Sequence, residues 1–194
     1  MRLLLASGSP RRADLLRAAG FQFDVFPVDV DERFLPGETP ELAVARLAEV
    51  KAGTALASHP DAVVLGADTT VVVGGEALEK PASAEDAARM LRLLSGRSHD
   101  VLTGVCMSLQ GRRMTHVEST RVRVSQLSEA EIAWYVSTGE PFDKAGGYAV
   151  QGMASRFIER IDGSYSNVVG LPISSVYRLL KELGCDILTS EKSQ

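Results

Sequence analysis

The stretch "RLLLASGSPRRADLLRAAG", residues 2–20, decides the class of fold. Residues 2–6, "RLLLA", read as a strand covered on both faces, because such strands show continuous apolar runs rather than alternation. The second half reads as a helix. Ser9 is a suitable N-cap, and Pro10 at the first helical position gives up an amide that would have no partner there anyway. Leu15, Leu16 and Ala19 follow a helical period, and Gly20 supplies the stop. A buried strand feeding straight into a helix is the building unit of an α/β sheet.

The same stretch poses an electrostatic problem. A helix N-terminus carries partial positive charge, which favours carboxylates and disfavours cations. Here Arg11 and Arg12 stand side by side in the first turn, just after the small residues Ser7, Gly8 and Ser9. In α/β sheets ligands occupy the crevices at the carboxyl ends of strands. A multiply charged anion bound there inverts the objection, since helix amides, hydroxyls and both guanidiniums would then all stabilise it. A phosphate chain is the natural candidate. The chain has no G-x-x-x-x-G-K-[ST] motif, so this is not a P-loop.

Working outward, "FQFDVF" (21–26) alternates like a strand, and an acidic loop "VDVDERFLPGE" follows. Thr39-Pro40 repeats the cap-then-proline signal before the longest helix, "ELAVARLAEVKAGTALA". Its apolar positions include Leu42, Ala45 and Ala52, and Lys51 lies in its second half. "AVVLGA" (62–67) is another buried strand, and "TTVVVGGEALEKP" reads as strand, Gly74-Gly75 turn and return. Ser83 caps a helix over about 84–94, closed by Gly96. Residues 100–124 form a long hairpin around "QGRR". Ser128 with Glu131 makes a capping box for a helix ending at Thr138-Gly139. A glycine-rich segment, "DKAGGYAVQGMA", precedes a strand "SRFIERI", a loop "DGSYSNVVGLP", a last helix from Ile173 to Leu183 capped by Gly184, and a frayed tail "SEKSQ". Strands alternating with helices, with one long hairpin, predict a mixed α/β fold.

Composition narrows the function. The 194 residues suffice for one large domain with a substantial core. The net charge of -4 argues against a dedicated nucleic-acid-binding surface, while local positive charge leaves room for a small anion. Cys106 and Cys185 have neither zinc spacing nor the number of a disulfide framework, so both are expected as core thiols in a reducing compartment. The N-terminal apolar run is too short for a secretory signal, and no segment matches a membrane span. A cytoplasmic location is expected.

Three further groups of residues could carry chemistry. Asp68 is expected where a buried strand ends at a sheet edge, placed to act as a metal ligand or a base toward water. Asp29, Asp31 and Glu32 of the acidic loop could add oxygen ligands for magnesium or manganese, although such a run is commonly just a solvated loop. Lys51, Lys80 and Lys144 would each be surface lysines alone, but gathered together with the arginines they suit a triphosphate. In "DKAGGYAVQG" the glycines permit close approach of backbone, and Gln151 offers donor and acceptor to the edge of a base. His99 is expected to order the start of the hairpin rather than to catalyse. His59 and His116 read as surface positions, and Trp134 and Tyr135 as core or interface.

Taken in order, "LLLASGSPRRADLL", "RLAEVKA", "VLGADTTVVV", "LEKP", "LSGRSHDVLTG", "YVSTGEPFDKAGGYAVQG" and "IDGSYSNVVGLP" closely resemble the Maf family of nucleotide pyrophosphatases, from residue 3 to about 187. The resemblance implies a hydrolase that cuts nucleoside triphosphates between the α- and β-phosphates. It also implies a divalent cation (Mg2+ or Mn2+) and a homodimer; from the acidic balance and the lack of a long apolar run, no stable nucleic-acid or membrane partner is expected. The fold would be similar to the inosine triphosphate pyrophosphatases: one domain over 1–194, with a central mixed sheet flanked by helices and a smaller lobe forming a cleft. On this resemblance Asp68 is the proton acceptor, and Glu32 is the acidic residue that works with metal and water. Arg11, Arg12, Lys51 and Lys80 hold the phosphates; Ser7, by its own place among the small hydroxyls of the opening turn, is expected to be a substrate-binding position beside them. Arg11, Thr69 and Gln151 fall on the positions that separate substrate subgroups. All three side with the subgroup acting on dTTP and UTP rather than on 7-methyl-GTP. A neutral glutamine suits the O-N-O edge of thymine or uracil, whereas a glutamate would favour the donors of guanine. The alternatives are a nucleotide-binding regulator of cell division and septum formation without significant turnover, and a 7-methyl-GTP-type pyrophosphatase.

Overall fold

A computed structural model describes residues 3–185. The expected frayed tail, "SEKSQ", lies outside them. Among the described residues the strands are β1 (Leu3–Leu5), β2 (Asp24–Val25), β3 (Val63–Val73), β4 (Glu76–Leu78), β5 (Ser98–Leu109), β6 (Arg112–Val124) and β7 (Ile158–Asp162). The helices are α1 (Pro10–Ala18), α2 (Pro40–Ser58), α3 (Ala84–Leu94), α4 (Glu129–Ser137), α5 (Tyr165–Val169) and α6 (Ile173–Glu182). The strands form one sheet in the order β2-β1-β3-β5-β6-β7, with β4 added to β3. Strand β1 pairs parallel to β2 and β3, whereas β3–β4 and β6–β7 are antiparallel, so the sheet is mixed as expected. No described helix is long and apolar enough to cross a membrane.

The described residues fall into two compact units, and β3, β5 and β6 each have residues in both. The first unit comprises residues 3–68, 104–118 and 171–185. Its core follows from the two-residue period of β1. Leu3 and Leu5 join Leu16, Leu65, Met107, Val176 and Leu180 in one cluster. Leu4 and Ala6, pointing the opposite way, join Ala48, Ala52, Ala55, Val64 and Cys106 in another. Each fully buried leucine contributes about 1.5–3 kcal/mol of transfer free energy. Helix α2 lies unusually close to the sheet. A Cβ on Gly66 would come 2.2 Å from the Ala48 carbonyl oxygen, and one on Gly104 would come 2.1 Å from that of Val44. Glycine inside a strand signals close backbone approach, and here both serve that purpose.

The second unit comprises residues 69–103 and 119–170. Its core gathers Val71, Met90, Leu94, Val101, Val122, Ile132, Tyr135, Tyr148 and Phe157. The Ser128–Glu131 capping box is present in full at the start of α4. The hairpin turn is Gln110-Gly111, both at positive φ, and Gly111 accommodates this at no steric cost.

Several expectations need correction. Asp68 does not end a strand at a sheet edge. It lies inside the 11-residue β3, past Leu65, the last residue paired with β1, because β-branched Thr69 to Val73 prolong the extended backbone beyond the carboxylate. The buried face of α2 consists of Ala43, Val44, Leu47, Ala48, Lys51, Ala52 and Ala55, while Leu42 is 61% exposed. Strand β2 shrinks to two residues. The loop "DGSYSNVVGLP" contains the short helix α5, capped by Ser164. Ser9 occupies the N-cap of α1 without a side-chain cap, and the Ser7 hydroxyl instead accepts from the Ser9 amide at 3.3 Å. Both cysteines are free and buried, as expected.

Candidate functional site

Five of the expected residues converge in the first unit. Along β3, Val64, Gly66 and Asp68 share a face by the two-residue period, and that face meets α2. On α2, Lys51 is one turn from Leu47 and Ala55, so its stem is buried with them. The close approach at Gly66 therefore brings an ammonium to a carboxylate. Lys51 Nζ donates to Asp68 Oδ1 at 2.7 Å and pairs with Glu32 Oε1 at 2.6 Å. The Lys51 side chain is only 7% exposed and that of Asp68 13%, while that of Glu32 is 52% exposed. One buried cation thus holds two carboxylates together.

Arg12 completes this group. It is not a solvated arginine: its Nη1 donates to the Ser7 hydroxyl at 3.0 Å and to the Ala67 carbonyl at 2.9 Å. Burial lowers its pKa, the charges of Asp68 and Glu32 oppose that shift, and Arg11 adds to it. Arginine keeps its proton in such surroundings. Arg11 is half-buried in the same helical turn.

The loop bearing Glu32 is tied down by contacts that have no local signature in the sequence. Arg46 of α2 forms a double hydrogen bond with Glu38, both distances being 2.7 Å, and also reaches the Arg33 carbonyl at 3.1 Å. Glu38 additionally accepts from the Leu35 amide. The Arg46 guanidinium holds the Glu38 carboxyl down to about 2. Of the other acids in this loop, Asp31 is engaged by Arg33, which holds it at about 2, and Asp29 is exposed. Only Glu32 of the three expected oxygen donors meets Lys51. Among the described residues no three Asp, Glu, His or Cys side chains form a ready metal cage.

Thr69, Lys80 and Gln151 belong to the second unit. The Thr69 hydroxyl hydrogen-bonds that of Thr103 at 3.0 Å and donates to the Gly170 carbonyl at 3.3 Å. Lys80 is exposed just after β4, and Gln151 is exposed on a tight turn. Lys144, offered as a phosphate-binding lysine, donates to the Glu140 carbonyl at 2.7 Å and pairs with Asp143. His99 is buried at the start of β5 and bonded to Tyr148, in keeping with an ordering role.

The chain is similar over nearly its whole length to several known proteins. A "dTTP/UTP pyrophosphatase" of Koribacter versatilis is 50% identical over 184 residues, 95% of each chain. One of Anaeromyxobacter dehalogenans is 53% identical over 187 residues, 94% of each chain. One of Syntrophomonas wolfei is 48% identical over 189 residues, covering 96% of this chain and all of that one. The structure of the Staphylococcus aureus Ham1 protein superposes with a TM-score of 0.53 at 14% identity, covering 94% of this chain and 100% of that chain. That likeness concerns the fold alone. The sequence model of the Maf-like protein family matches residues 2–183, nearly the whole described chain, and the chain therefore belongs to the Maf family.

Proposed function

We propose that this protein is a cytoplasmic nucleoside triphosphate pyrophosphatase, acting as a homodimer, that hydrolyses dTTP and UTP to the nucleoside monophosphate and pyrophosphate. The relatives named for that activity are about half identical over almost their full length. The observation that carries the reading is the Lys51 ammonium shared by Glu32 and Asp68, next to the buried Arg12. Cations and carboxylates alternating in one place are what phosphoryl transfer requires, since its catalysis is mainly positioning and charge neutralisation.

The donor set fits a divalent cation: two carboxylates already converge on one positive charge, and Mg2+ commonly takes one or two carboxylates plus substrate oxygens. When bound to Asp68 and Glu32, Mg2+ or Mn2+ would neutralise phosphate oxygens and acidify water. The chain's own groups supply the remaining steps. Asp68 accepts a proton from the attacking water, whose oxygen bonds to the α-phosphorus in line with the bridging oxygen. As the bond to that bridging oxygen breaks, pyrophosphate departs with the electron pair. Arg11, Arg12, Lys51 and Lys80 neutralise the charge that accumulates on the phosphates, and Ser7 holds Arg12 in place. Gln151 reads the O-N-O edge of thymine or uracil, with Arg11 and Thr69 contributing to selection.

The test is a nucleotide panel assayed for both products in the presence of Mg2+ or Mn2+, with a chelator control. Release of monophosphate and pyrophosphate from dTTP and UTP ahead of CTP, GTP and 7-methyl-GTP is expected. Tight binding of dTTP without turnover would overturn the reading.

A further inference from the structure

The exposed Gln151 sits on a turn whose flanks are fastened from below at two points, and neither fastening group belongs to the machinery described above. Residues Tyr148, Ala149 and Val150 are buried on one side of it, and Ala154 on the other. On the near side, His99 Nε2 and the Tyr148 hydroxyl are 2.7 Å apart, with the rings edge to face at 5.3 Å. Both residues are buried, at 2% and 8% exposure, and His99 Nδ1 has no hydrogen-bond partner. Burial lowers the His99 pKa to about 4, so the ring is neutral, and its one hydrogen bond goes to the tyrosine.

On the far side stands Glu140. Its carboxylate accepts from the Met153 amide at 3.0 Å, from the Ala154 amide at 3.4 Å and from the Tyr135 hydroxyl at 2.7 Å. The Tyr135 oxygen in turn accepts from the Ala149 amide at 3.2 Å. One carboxylate and one phenol thus clamp the backbone on both sides of Gln151. The fit is close: a Cβ on Gly152 would lie 2.4 Å from the Glu140 carboxylate, and one on Gly146 would lie 2.9 Å from Val71. Burial works against the charge on Glu140, but the hydroxyl and the two amides keep its pKa below the ordinary range.

We propose that Glu140, through Tyr135, and His99, through Tyr148, are positioning residues for base recognition, holding segment 148–154 so that Gln151 is presented in one fixed geometry. The inference rests on the reading of Gln151 as the group that meets the base. Neither strut touches the reacting atoms, so loosening one blurs base selection and leaves the chemical step alone. This is how supporting hydrogen bonds act on the groups they orient.

The experiment compares kcat and KM for dTTP, UTP and CTP in the wild type, Tyr148→Phe, Glu140→Gln and Gln151→Ala, and in the double variants of each strut with Gln151→Ala. Tyr148→Phe keeps the buried ring and removes only the hydroxyl, so it gives a folded variant even where Glu140→Gln does not. Each strut variant is expected to raise KM for dTTP and UTP about tenfold with kcat within about twofold, the size of a lost hydrogen-bonded support. In the Gln151→Ala background the same changes should have no further effect on the dTTP/CTP preference, because the residue they position is gone. An unchanged preference in Tyr148→Phe, or a loss that adds in full to that of Gln151→Ala, overturns the strut assignment. If Gln151→Ala itself leaves the preference intact in an active enzyme, the base-reading role fails, and the struts with it. A wild type inactive on dTTP and UTP overturns the proposed function instead, so the failures are told apart.

Discussion

Substituting Gly66 by alanine tests whether the contact between α2 and β3 builds the site. The added Cβ would lie 2.2 Å from the Ala48 carbonyl oxygen and 2.7 Å from the Ala52 nitrogen, both backbone atoms that cannot rotate away. A carbon–oxygen contact of about 3.3 Å requires α2 to retreat by about 1 Å. Lys51 lies on the same turns and moves with the helix, which stretches its 2.7 Å bond to Asp68 past hydrogen-bonding distance. Misplacement by about 1 Å in a catalytic constellation costs about 100-fold in rate. Overpacking of this kind costs about 1–3 kcal/mol of stability, equivalent to a fall in Tm of about 4–8 °C at the middle of that range. Gly104→Ala is the informative partner, since its Cβ would strike the Val44 carbonyl at 2.1 Å, about 10 Å along the helix from Lys51. Comparable loss of Tm with a much smaller loss of kcat/KM is expected there. The assay is pyrophosphate release from dTTP alongside thermal unfolding by circular dichroism. Gly66→Ala with a wild-type Tm and kcat/KM, or Gly104→Ala as inactive as Gly66→Ala, would refute the reasoning.

Asp68→Asn should lower kcat by about a thousandfold while KM stays within a few-fold, as for loss of a general base; near-normal turnover measured with dTTP would remove Asp68 from that role. Arg46→Ala frees Glu38 and with it the loop that carries Glu32, so kcat/KM should fall about tenfold, the loss of a charge-assisted hydrogen bond. Arg46→Lys, lacking the two-pronged geometry, should recover only part of this, and full recovery would show that charge alone suffices. His99 ordinarily titrates near 6.5 and is held by burial at about 4, against a smaller opposing effect of Asp100. The unfolded chain therefore takes up the proton first, and the stability due to this group is intact above pH 6.5 and lost as pH falls toward 4. Near pH 5 the loss is about 2 kcal/mol, or about 4–8 °C in Tm. Tm measured against pH in the wild type and in His99→Gln should diverge by that amount, and parallel curves would contradict it.

The elements legible in the sequence were those with local signals. Thr39, Ser83 and Ser128 cap helices where they stand, because each side-chain oxygen reaches the amide three residues on. Helix α2 exists as expected and Ala52 lies on its buried face, but Leu42 is exposed and Ala45 only half-buried. An alanine-rich helix shows little contrast between faces, and the glycines that receive it sit on strands far along the chain. The interior placement of Asp68 was obscured because a carboxylate after "VVLGA" looks like the end of a buried strand. Five β-branched residues beyond it carry the strand on regardless. Arg11, Arg12 and Asp68 could be singled out by their awkwardness, each being a charge where the local fold should reject it. The role of Lys51 depends on helix-to-strand register across 17 residues, and the Glu38–Arg46 tie on loop geometry, neither of which has a local signature.

The two carboxylates that share Lys51 differ in what carries them. Asp68 is borne by the middle of the 11-residue β3, whereas Glu32 rides on an exposed loop pinned through Arg46. For the proposed pyrophosphatase, adjustment to triphosphates of different size is expected from the Glu32 side, with amide exchange slow around residue 68 and faster around residue 32.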